Sequence, residues 1–456
     1  MAKEQVITTR QATPANVEAI VVQSNGDKEK TVDLATGFVR LQYYESLLQD
    51  AIRVTVAYSD TGNTIDGKTA MAGLPMVGQE TTRVKFTDNN EETIDVKLYI
   101  NKISQVYEDT TGSLVMLDLA SKEFILNEKI RLHTRFDGKI SENIKKILSQ
   151  QIYLRSEKDL EGIEDTQNNF NFIGLNKKPF YMINWLSRIA VPETDNSTGN
   201  TAGYMFWETS KGYQFKSIDK LLSQEKKKSI IYNETPDSGG ENIPEGYDMK
   251  ALQYDRENNI NVQNKLMMGA YSTRTIMFNP FDCKYEVITP NAEQIEKEDG
   301  IKTAGKELPV LNPEFNMTDD GEAREFSRTM YMLLDTGTLP DGSGTGKDQQ
   351  QLDKSQKQNY DVKNILAQSV MRYNQLFAAK CTVVLPGDFS LHAGDAIFVD
   401  APELKTDTKN DETNKQSGGL YIIADLCHYV TPKETYTKLN LIRDSFGRKG
   451  TPTSST

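Results

Sequence analysis

The feature that most constrains the fold is a strict two-residue alternation in residues 94 to 100, IDVKLYI. The alternating apolar side chains are Ile94, Val96, Leu98 and Ile100. Because successive side chains of a strand point to opposite faces, this period predicts a half-buried β-strand. The pattern continues through KISQVYE, turns at DTTG (109 to 112) and resumes in SLVMLDLA. Together these runs predict a long β-hairpin.

A second hairpin is predicted near the other end of the chain. Residues 418 to 445 contain a strand-like run, a turn at TPKE and the alternating run TYTKLNLIR, with Leu439 and Leu441 on its apolar face. The two hairpins share too little identity to count as a sequence repeat. We therefore expect two similar β domains at the two ends of the chain, and a mainly β fold with α+β material between them.

The material between the two ends divides into segments of different character. Residues 136 to 230 contain the helical spacings KISENIKKILSQ, with Ser141 as the expected cap, and PFYMINWLSRIA, followed by an aromatic hairpin that turns at residues 210 to 212. This predicts a small α+β middle domain. The first β domain is placed at 1–135, and strands in 231–288 are expected to contribute to the second.

The second β domain is expected over 359–447, beginning with a helix in YDVKNILAQSVMRYNQLFAAK. Before it, residues 289–358 are rich in Pro, Gly, Asp and Gln, which predicts an extended, partner-contacting insertion. Residues 448–456 are expected to form a disordered tail. The length of 456 residues exceeds what one core organises, in agreement with two to four domains.

Charge and cysteine content exclude several classes of protein. The net charge of -12 argues against an electrostatic grip on nucleic acid. Cys283, Cys381 and Cys427 are odd in number and far apart, which favours buried, reduced thiols and folding in a reducing cytoplasm. The first twenty residues contain no apolar run of signal-peptide length, and no run of about 18 apolar residues occurs. We expect neither secretion by that route nor a membrane span.

The stretch GDFSLHAGDAIFVDAP, residues 387 to 402, admits two interpretations. His392, Asp388 and Asp395, joined by His428, could ligate a metal, since imidazole and carboxylate are ordinary ligands. Each Gly-Asp pair also fits a chain reversal, with glycine supplying an unusual φ and aspartate bonding to nearby amides. The turn interpretation is favoured.

Other motifs do not reach the pattern that their chemistry needs. DGSGTGKDQ lacks the spacing of a phosphate loop, and the acidic stretch 405–416 fails the calcium-loop pattern. No catalytic, metal or cofactor site is predicted, although a glycosidase carboxylate pair stays open. A cluster of aromatic residues could form a sugar-binding face or a hairpin core, and the core is favoured. They are Trp185, Tyr204, Phe206, Trp207, Tyr213 and Phe215.

The C-terminal residues resemble the last domain of the T4-type baseplate central hub proteins of contractile-tailed bacteriophages. The resemblance lies in AAKCTVVLPGDFSLHAGDAIFVDAP, in GLYIIADLCHYV with His428, and in TKLNLIRDS. Within the first of these, Gly387, Phe389, Leu391 and Gly394 form the turn pattern. The block RVKFTDNNEETIDVKLYINKISQVYEDTTGSLVMLDL is similar to the first tube domain of that family. The chain departs from the family in the 289–358 insertion and in the 59–78 loop.

This resemblance implies a structural protein of the virion, assembled in the host cytoplasm, with no enzymatic activity. It implies a homotrimer in which two tube domains per chain form a pseudo-sixfold ring between the tail tube protein and the spike protein, in contact with other baseplate proteins. The genome would pass through an acidic lumen, and no membrane is involved. The residues expected to be structurally important are Gly387, Gly394, Leu439, Leu441, Val96, Leu98 and Ile100. The alternatives are a cell-wall hydrolase and a carbohydrate-binding adhesin.

Overall fold

The computed structural model of the chain describes residues 12–193, 201–232, 243, 246–257, 261–279, 283–288, 301–306, 308–315, 328–333, 362–401 and 417–452. Within these residues a sheet of fourteen strands dominates, and three small sheets of two or three strands accompany it. The mainly β class is therefore confirmed. No helix in the described ranges has the length and apolar character needed to cross a membrane.

The N-terminal part supplies seven strands of the large sheet, and a one-turn helix, α1 (Ala70–Gly73), lies between the fourth and fifth. The strands are β1 (Asn16–Gln23), β2 (Thr31–Asp33), β3 (Phe38–Ser46), β4 (Arg53–Asp60), β5 (Thr81–Thr87), β6 (Thr93–Glu108) and β7 (Ser113–Ala120). Strands β6 and β7 form the predicted hairpin, and Leu98 and Ile100 are fully buried.

The middle part builds a separate core of aromatic and aliphatic side chains. Its elements are α2 (Lys122–Lys129), β8 (Arg135–Phe136), α3 (Ile140–Ser149), β9 (Phe172–Ile173), α4 (Pro179–Ser187), β10 (Tyr204–Thr209), β11 (Gly212–Ser217) and α5 (Ile218–Ser223). The expected cap at Ser141 was wrong: Lys139 precedes the helix, and Ser141 lies inside it. Its hydroxyl instead accepts the Thr166 N–H at 3.2 Å, because both residues are buried at the contact between helix and loop.

The remaining elements complete the large sheet and add a small one. They are β12 (Lys228–Ile231), β13 (Met249–Lys250), β14 (Gln253–Glu257), α6 (Val262–Met268), β15 (Thr273–Asn279), β16 (Lys284–Ile288), β17 (Arg328–Leu333), α7 (Val362–Gln375), β18 (Ala379–Pro386), β19 (Ala396–Asp400), β20 (Gly419–Val430) and β21 (Thr435–Arg443). The predicted C-terminal hairpin is β20–β21, and Leu439 and Leu441 are fully buried in the core of the large sheet.

Three expectations for this region need correction. Strands β12 to β14 join the large sheet, but β15 and β16 pair with β17 in a sheet of their own, so 273–288 does not contribute to the second β domain. The range 289–358, expected as an extended insertion, contains strand β17 and a packed segment, 301–306, whose Ala304 is fully buried. The structure does not describe the parts 289–300, 307, 316–327 and 334–358. In the expected tail, Arg448 donates to Asp400 at 2.7 Å, so this part is held, while 453–456 lie outside the described residues.

The two ends of the chain have the same strand order. The N-terminal strands pair as β2-β1-β5-β6-β7-β4-β3, and the C-terminal strands pair as β13-β12-β19-β20-β21-β18-β14. When the seven strands of each half are numbered by their order in the chain, both halves have the same spatial order: second, first, fifth, sixth, seventh, fourth, third. They differ in the direction of the first two strands, since β1 is antiparallel to β5 and to β2, whereas β12 is parallel to β19 and to β13.

The match also aligns individual residues. Both hairpins close through four residues, between Glu108 and Ser113 in one and between Val430 and Thr435 in the other. Aligning these turns makes β7 the counterpart of the final strand β21. The strand of Val96, Leu98 and Ile100, β6, corresponds to β20.

The two halves are joined edge to edge. Strand β3, the last of the N-terminal order, pairs antiparallel with the second half of β20, from Asp425 opposite Ser46 to Val430 opposite Leu41. The first half of β20 pairs on the same side with β19. The two halves therefore share one continuous sheet and one apolar core.

Candidate functional site: the three-way junction around residues 387 to 395

The turn between β18 and β19 is shaped by its own aspartates. Asp388 Oδ1 accepts the Ser390 N–H at 3.0 Å, and Asp395 Oδ2 accepts the His392 N–H at 2.9 Å. Asp395 also pairs with Lys227 at 2.7 Å. These bonds confirm that the aspartate of each Gly-Asp pair bonds to a nearby backbone amide, as the turn interpretation expected. Among the described residues no group of three His, Cys, Asp or Glu side chains is placed to hold a metal ion.

The two glycines of this turn act for different reasons. Gly394 has φ +89°, and a Cβ there would overlap the Trp207 ring, so both backbone and space require glycine. Gly387 does not adopt a positive φ, so that part of the expectation was wrong. A Cβ on Gly387 would instead lie 2.5 Å from the Thr435 side chain, because the turn packs directly on the start of β21.

The centre of the junction is the buried carboxylate of Glu45 on β3. It accepts hydrogen bonds from the Tyr43 hydroxyl at 2.6 Å, the Ala393 N–H at 2.9 Å and the Ser210 N–H at 3.0 Å, and it lies 3.2 Å from His392 Nδ1. These donors come from the N-terminal strands, the 387–395 turn and the tip of the middle hairpin. One side chain therefore ties together all three parts of the chain.

The electrostatics of Glu45 suit this role. Burial opposes its ionisation, but His392, Tyr43 and the Ser210 amide outweigh burial and lower its pKa. A buried carboxylate that accepts several hydrogen bonds is costly to leave without them. Loss of any one part from the junction would therefore destabilise the other two.

An aromatic cluster packs beneath the turn. Phe389 lies 4.9 Å from Phe86 and 4.8 Å from His428 between ring centroids, and its N–H donates to Asp88 at 2.8 Å. His428 Nδ1 lies 3.0 Å from Thr437 Oγ1, and burial lowers the pKa of His428 to about 4. The imidazole is therefore neutral at neutral pH and serves as a packing element between the two halves of the sheet.

The middle part is attached by its aromatic hairpin. Trp207 Nε1 donates to the Ala393 carbonyl at 2.9 Å. The five aromatic side chains of β10 and β11 are buried, which confirms the hairpin-core interpretation and removes the main support for a sugar-binding face: Tyr204, Phe206, Trp207, Tyr213 and Phe215.

Two further buried ionic networks tie the parts together. Glu208 accepts from the Ile52 N–H at 3.2 Å and from Ser121 Oγ at 2.5 Å, and Lys158 bridges Glu208 and Glu123. Burial raises the pKa of Glu208. This network joins the loop before β4, the start of α2 and the middle hairpin.

The second network centres on Arg372 of α7. Its guanidinium lies 3.1 Å from Asp219 and 3.2 Å from Asp444, and all three side chains are fully buried. Segment 301–306 closes over it, since the Lys302 carbonyl accepts from Arg372 and the Ala304 N–H donates to Asp444. Glu45, Glu208 and Arg372 were not among the residues expected to be important.

The structure places the other singled-out residues in the core. Leu439, Leu441, Val96, Leu98 and Ile100 all lie in the apolar core of the large sheet. Their importance for assembly stays a prediction. The three cysteines form no disulfide among the described residues; Cys381 is buried and Cys427 half-buried, but Cys283 is exposed in the turn between β15 and β16, contrary to expectation.

Comparison with known proteins gives one relative and a shared fold. No protein-family model matches the sequence. A probable baseplate hub protein of Vibrio phage KVP40 is 24% identical over 310 residues, which cover 67% of this chain and 66% of that protein. The chain therefore spans slightly less than two thirds of the length of this relative.

Solved structures of tail proteins align over nearly the whole chain. A tail protein from Neisseria meningitidis MC58 aligns with TM-score 0.50 at 10% identity, over 93% of this chain and 96% of that one. The 43 kDa tail protein of prophage MuSo2 from Shewanella oneidensis aligns with TM-score 0.47 at 8% identity, over 94% and 98%. The resemblance to phage baseplate hub proteins is thereby confirmed in sequence, and the first of these structures shows that the chain shares the fold of a tail protein.

Proposed function

We propose that this chain is a structural hub of a contractile phage-tail baseplate. Three copies form a ring of six β units that adapts the sixfold tail tube to the threefold spike, and the genome passes through its lumen. The similarity to a probable baseplate hub protein supports the baseplate role. The duplicated strand order supports the ring, because two equivalent units per chain let three chains present six units.

The observation that carries this proposal is the pairing of β3 with β20 inside one chain. It uses the outer edge of the N-terminal unit and the free half of a long strand in the C-terminal unit. The contact is heterologous, since a different surface of each unit takes part. Heterologous contacts that repeat produce either a closed ring or an open filament.

Each of these two surfaces has a counterpart in the other half of the chain. Neither counterpart has a strand partner there among the described strands. The counterpart of β3 is β14, which pairs only with β18. The counterpart of β20 is β6, whose first half pairs with β5 up to Tyr99 while residues 101–107 extend beyond that strand. Tyr107 is 57% exposed, whereas its counterpart Tyr429, which lies beside β3, is half-buried.

The two neighbouring copies in a ring cover one of these edges each. The β14 edge of one chain adds to the second half of β6 of the next, repeating between chains the contact that β3 and β20 make within one. Covering exposed edge strands in this way also prevents unspecific association. Three such contacts close the ring.

The aligned registers give a specific residue pair for a test. Within the chain, Gln42 lies opposite Tyr429. Gln42 and Asp255 are equivalent, because Gln42 lies opposite Thr55 of β4 and Asp255 lies opposite Thr382 of the counterpart strand β18. Tyr429 and Tyr107 are equivalent, because Tyr429 lies opposite Tyr436 of β21 and Tyr107 lies opposite Leu114 of the counterpart strand β7. The equivalent contact between chains is therefore Asp255 opposite Tyr107.

The test is disulfide formation in a Cys283→Ser background. The double variant Asp255→Cys with Tyr107→Cys should form covalent dimers and trimers under mild oxidation, seen by gel electrophoresis without reductant. The matched control, Gln42→Cys with Tyr429→Cys, should form a disulfide within one chain and stay at monomer mass. The proposed ring would be contradicted if the Asp255→Cys, Tyr107→Cys variant formed no cross-link between chains. It would also be contradicted if the control variant formed cross-links between chains.

The remaining partners follow from the proposed position. The tail tube protein docks on one face of the ring, the spike protein on the other, and other baseplate proteins contact the outside. A net charge of -12 supports a lumen that repels phosphates and releases DNA readily. The chain acts through shape and β pairing, without a catalytic step.

A further inference from the structure

The turn that follows β9 holds two consecutive residues in the left-handed region. Leu175 has φ +45° and Asn176 has φ +56°, and the Lys177 N–H donates to the Gly174 carbonyl at 3.0 Å. This is the geometry of a type I′ turn, which favours Asn and Gly at both central positions. Asn176 fits this preference, but Leu175 does not.

Leucine at this position is not explained by the stability of the fold. A left-handed conformation is unfavourable for a residue that carries a Cβ. The side chain of Leu175 is 69% exposed, so packing within the chain offsets little of this strain. An exposed apolar side chain held in a disfavoured conformation is a feature that points to a role outside the fold.

The base of the turn is rigid. The Leu132 N–H donates to the Lys177 carbonyl at 2.9 Å, and the Gly174 N–H donates to the Thr134 carbonyl at 3.1 Å. A Cβ on Gly174 would lie 2.5 Å from Leu132, so the two chain segments are in direct contact. Leu175 is therefore presented in a fixed position, and little conformational entropy is lost when it is buried by a partner.

Leu175 is flanked in the chain by exposed apolar side chains and a lysine. Ile173 is 58% exposed, and its cross-strand neighbour Arg135 is paired with Asp137 at 2.8 Å. Tyr181 is 56% exposed, and Lys177 Nζ lies 5.6 Å from its ring centroid. The Lys177 ammonium group beside these apolar side chains is complementary to a carboxylate.

We propose that residues 173–177 form a rigid knob that inserts Leu175 into an apolar socket bordered by carboxylates on a different protein of the tail. Aromatic and arginine residues around an apolar centre are typical of interface hot spots. The knob belongs to the middle part and is separate from the strand edges that form the ring. The inference rests on the proposed hub role for the identity of the particle.

The first test separates stability from docking. Leu175→Asn should leave the melting temperature unchanged or raise it, because Asn tolerates the left-handed conformation, and should reduce incorporation into tails roughly tenfold in cells infected by phage lacking the chain. The control is Leu48→Asn, since Leu48 is also exposed, at 61%, but lies outside the knob. It should be incorporated as the wild type is. Wild-type incorporation of Leu175→Asn, or equal losses in both variants, would overturn the proposal.

The second test identifies what the knob contacts. Photoreactive p-benzoylphenylalanine placed at Ile173 should cross-link in assembled tails to a peptide of a different protein, with apolar residues flanked by Asp or Glu. A cross-link to a second copy of this chain, or none at all, would overturn the proposal. Absence of the wild-type chain from tails would instead refute the hub role, so the two failures are distinguishable.

Discussion

Replacing Gly394 by alanine tests the junction most sharply. At φ +89° an alanine is strained by about 1–2 kcal/mol. Its methyl group would also overlap the Trp207 ring, and such overpacking costs about 1–3 kcal/mol. The two effects act together at one site, so Gly394→Ala should lower the free energy of unfolding by about 2–5 kcal/mol.

Gly62 provides the matched control, because it has φ +86° and nothing lies within 4 Å of its Cβ position. Gly62→Ala should therefore show the backbone strain alone. The assay is urea denaturation followed by tryptophan fluorescence in a Trp185→Phe background, so that Trp207 alone reports on the junction. Equal destabilisation by the two alanines, or none by Gly394→Ala, would refute the packing of the turn against the middle hairpin.

Three further predictions concern the buried ionisable groups. Glu45→Gln should destabilise the protein by roughly 2–4 kcal/mol in urea denaturation, whereas Glu18→Gln on the exposed face should change it by less than about 1 kcal/mol. Arg372→Met leaves two buried carboxylates uncompensated, so it should cost about 3–5 kcal/mol and expose segment 301–306 to limited proteolysis. Burial lowers the pKa of His428 from 6.5 to about 4, so between these pH values the unfolded chain binds a proton that the folded chain does not. The free energy of unfolding should therefore be highest above pH 6.5 and should fall as the pH is lowered towards 4. A Tm profile should be flatter over that range in His428→Gln.

The sequence predicted those strands and turns whose formation depends on residues close together in the chain. The two-residue period of β6 and of β21 was visible because one face of each strand is buried, and the four-residue turns between paired strands were marked by their composition. In FVRLQYYES, Glu45 shares the parity of Leu41 and Tyr43, so its burial could have been inferred. Its partners could not, because Ala393 is 348 residues away.

The misses come from tertiary contacts without a local pattern. Strand β17 is short and lies within a polar stretch, and its pairing with β15 depends on residues more than fifty positions away. Ser141 looked like a helix cap but bonds to Thr166 instead. Gly387 is required by the approach of Thr435, which no sequence pattern reveals. Two similar β domains were expected from the two hairpins, but the strand-by-strand match between them emerged only from the strand order.

The most direct test of the account is an electron cryomicroscopy reconstruction of assembled tails at side-chain resolution. Three copies of this chain are expected, whose six β units surround one channel, with the strand of Asp255 beside the strand of Tyr107 from the neighbouring copy. Six copies in the ring, or N- and C-terminal β units that do not face a common axis, would contradict it.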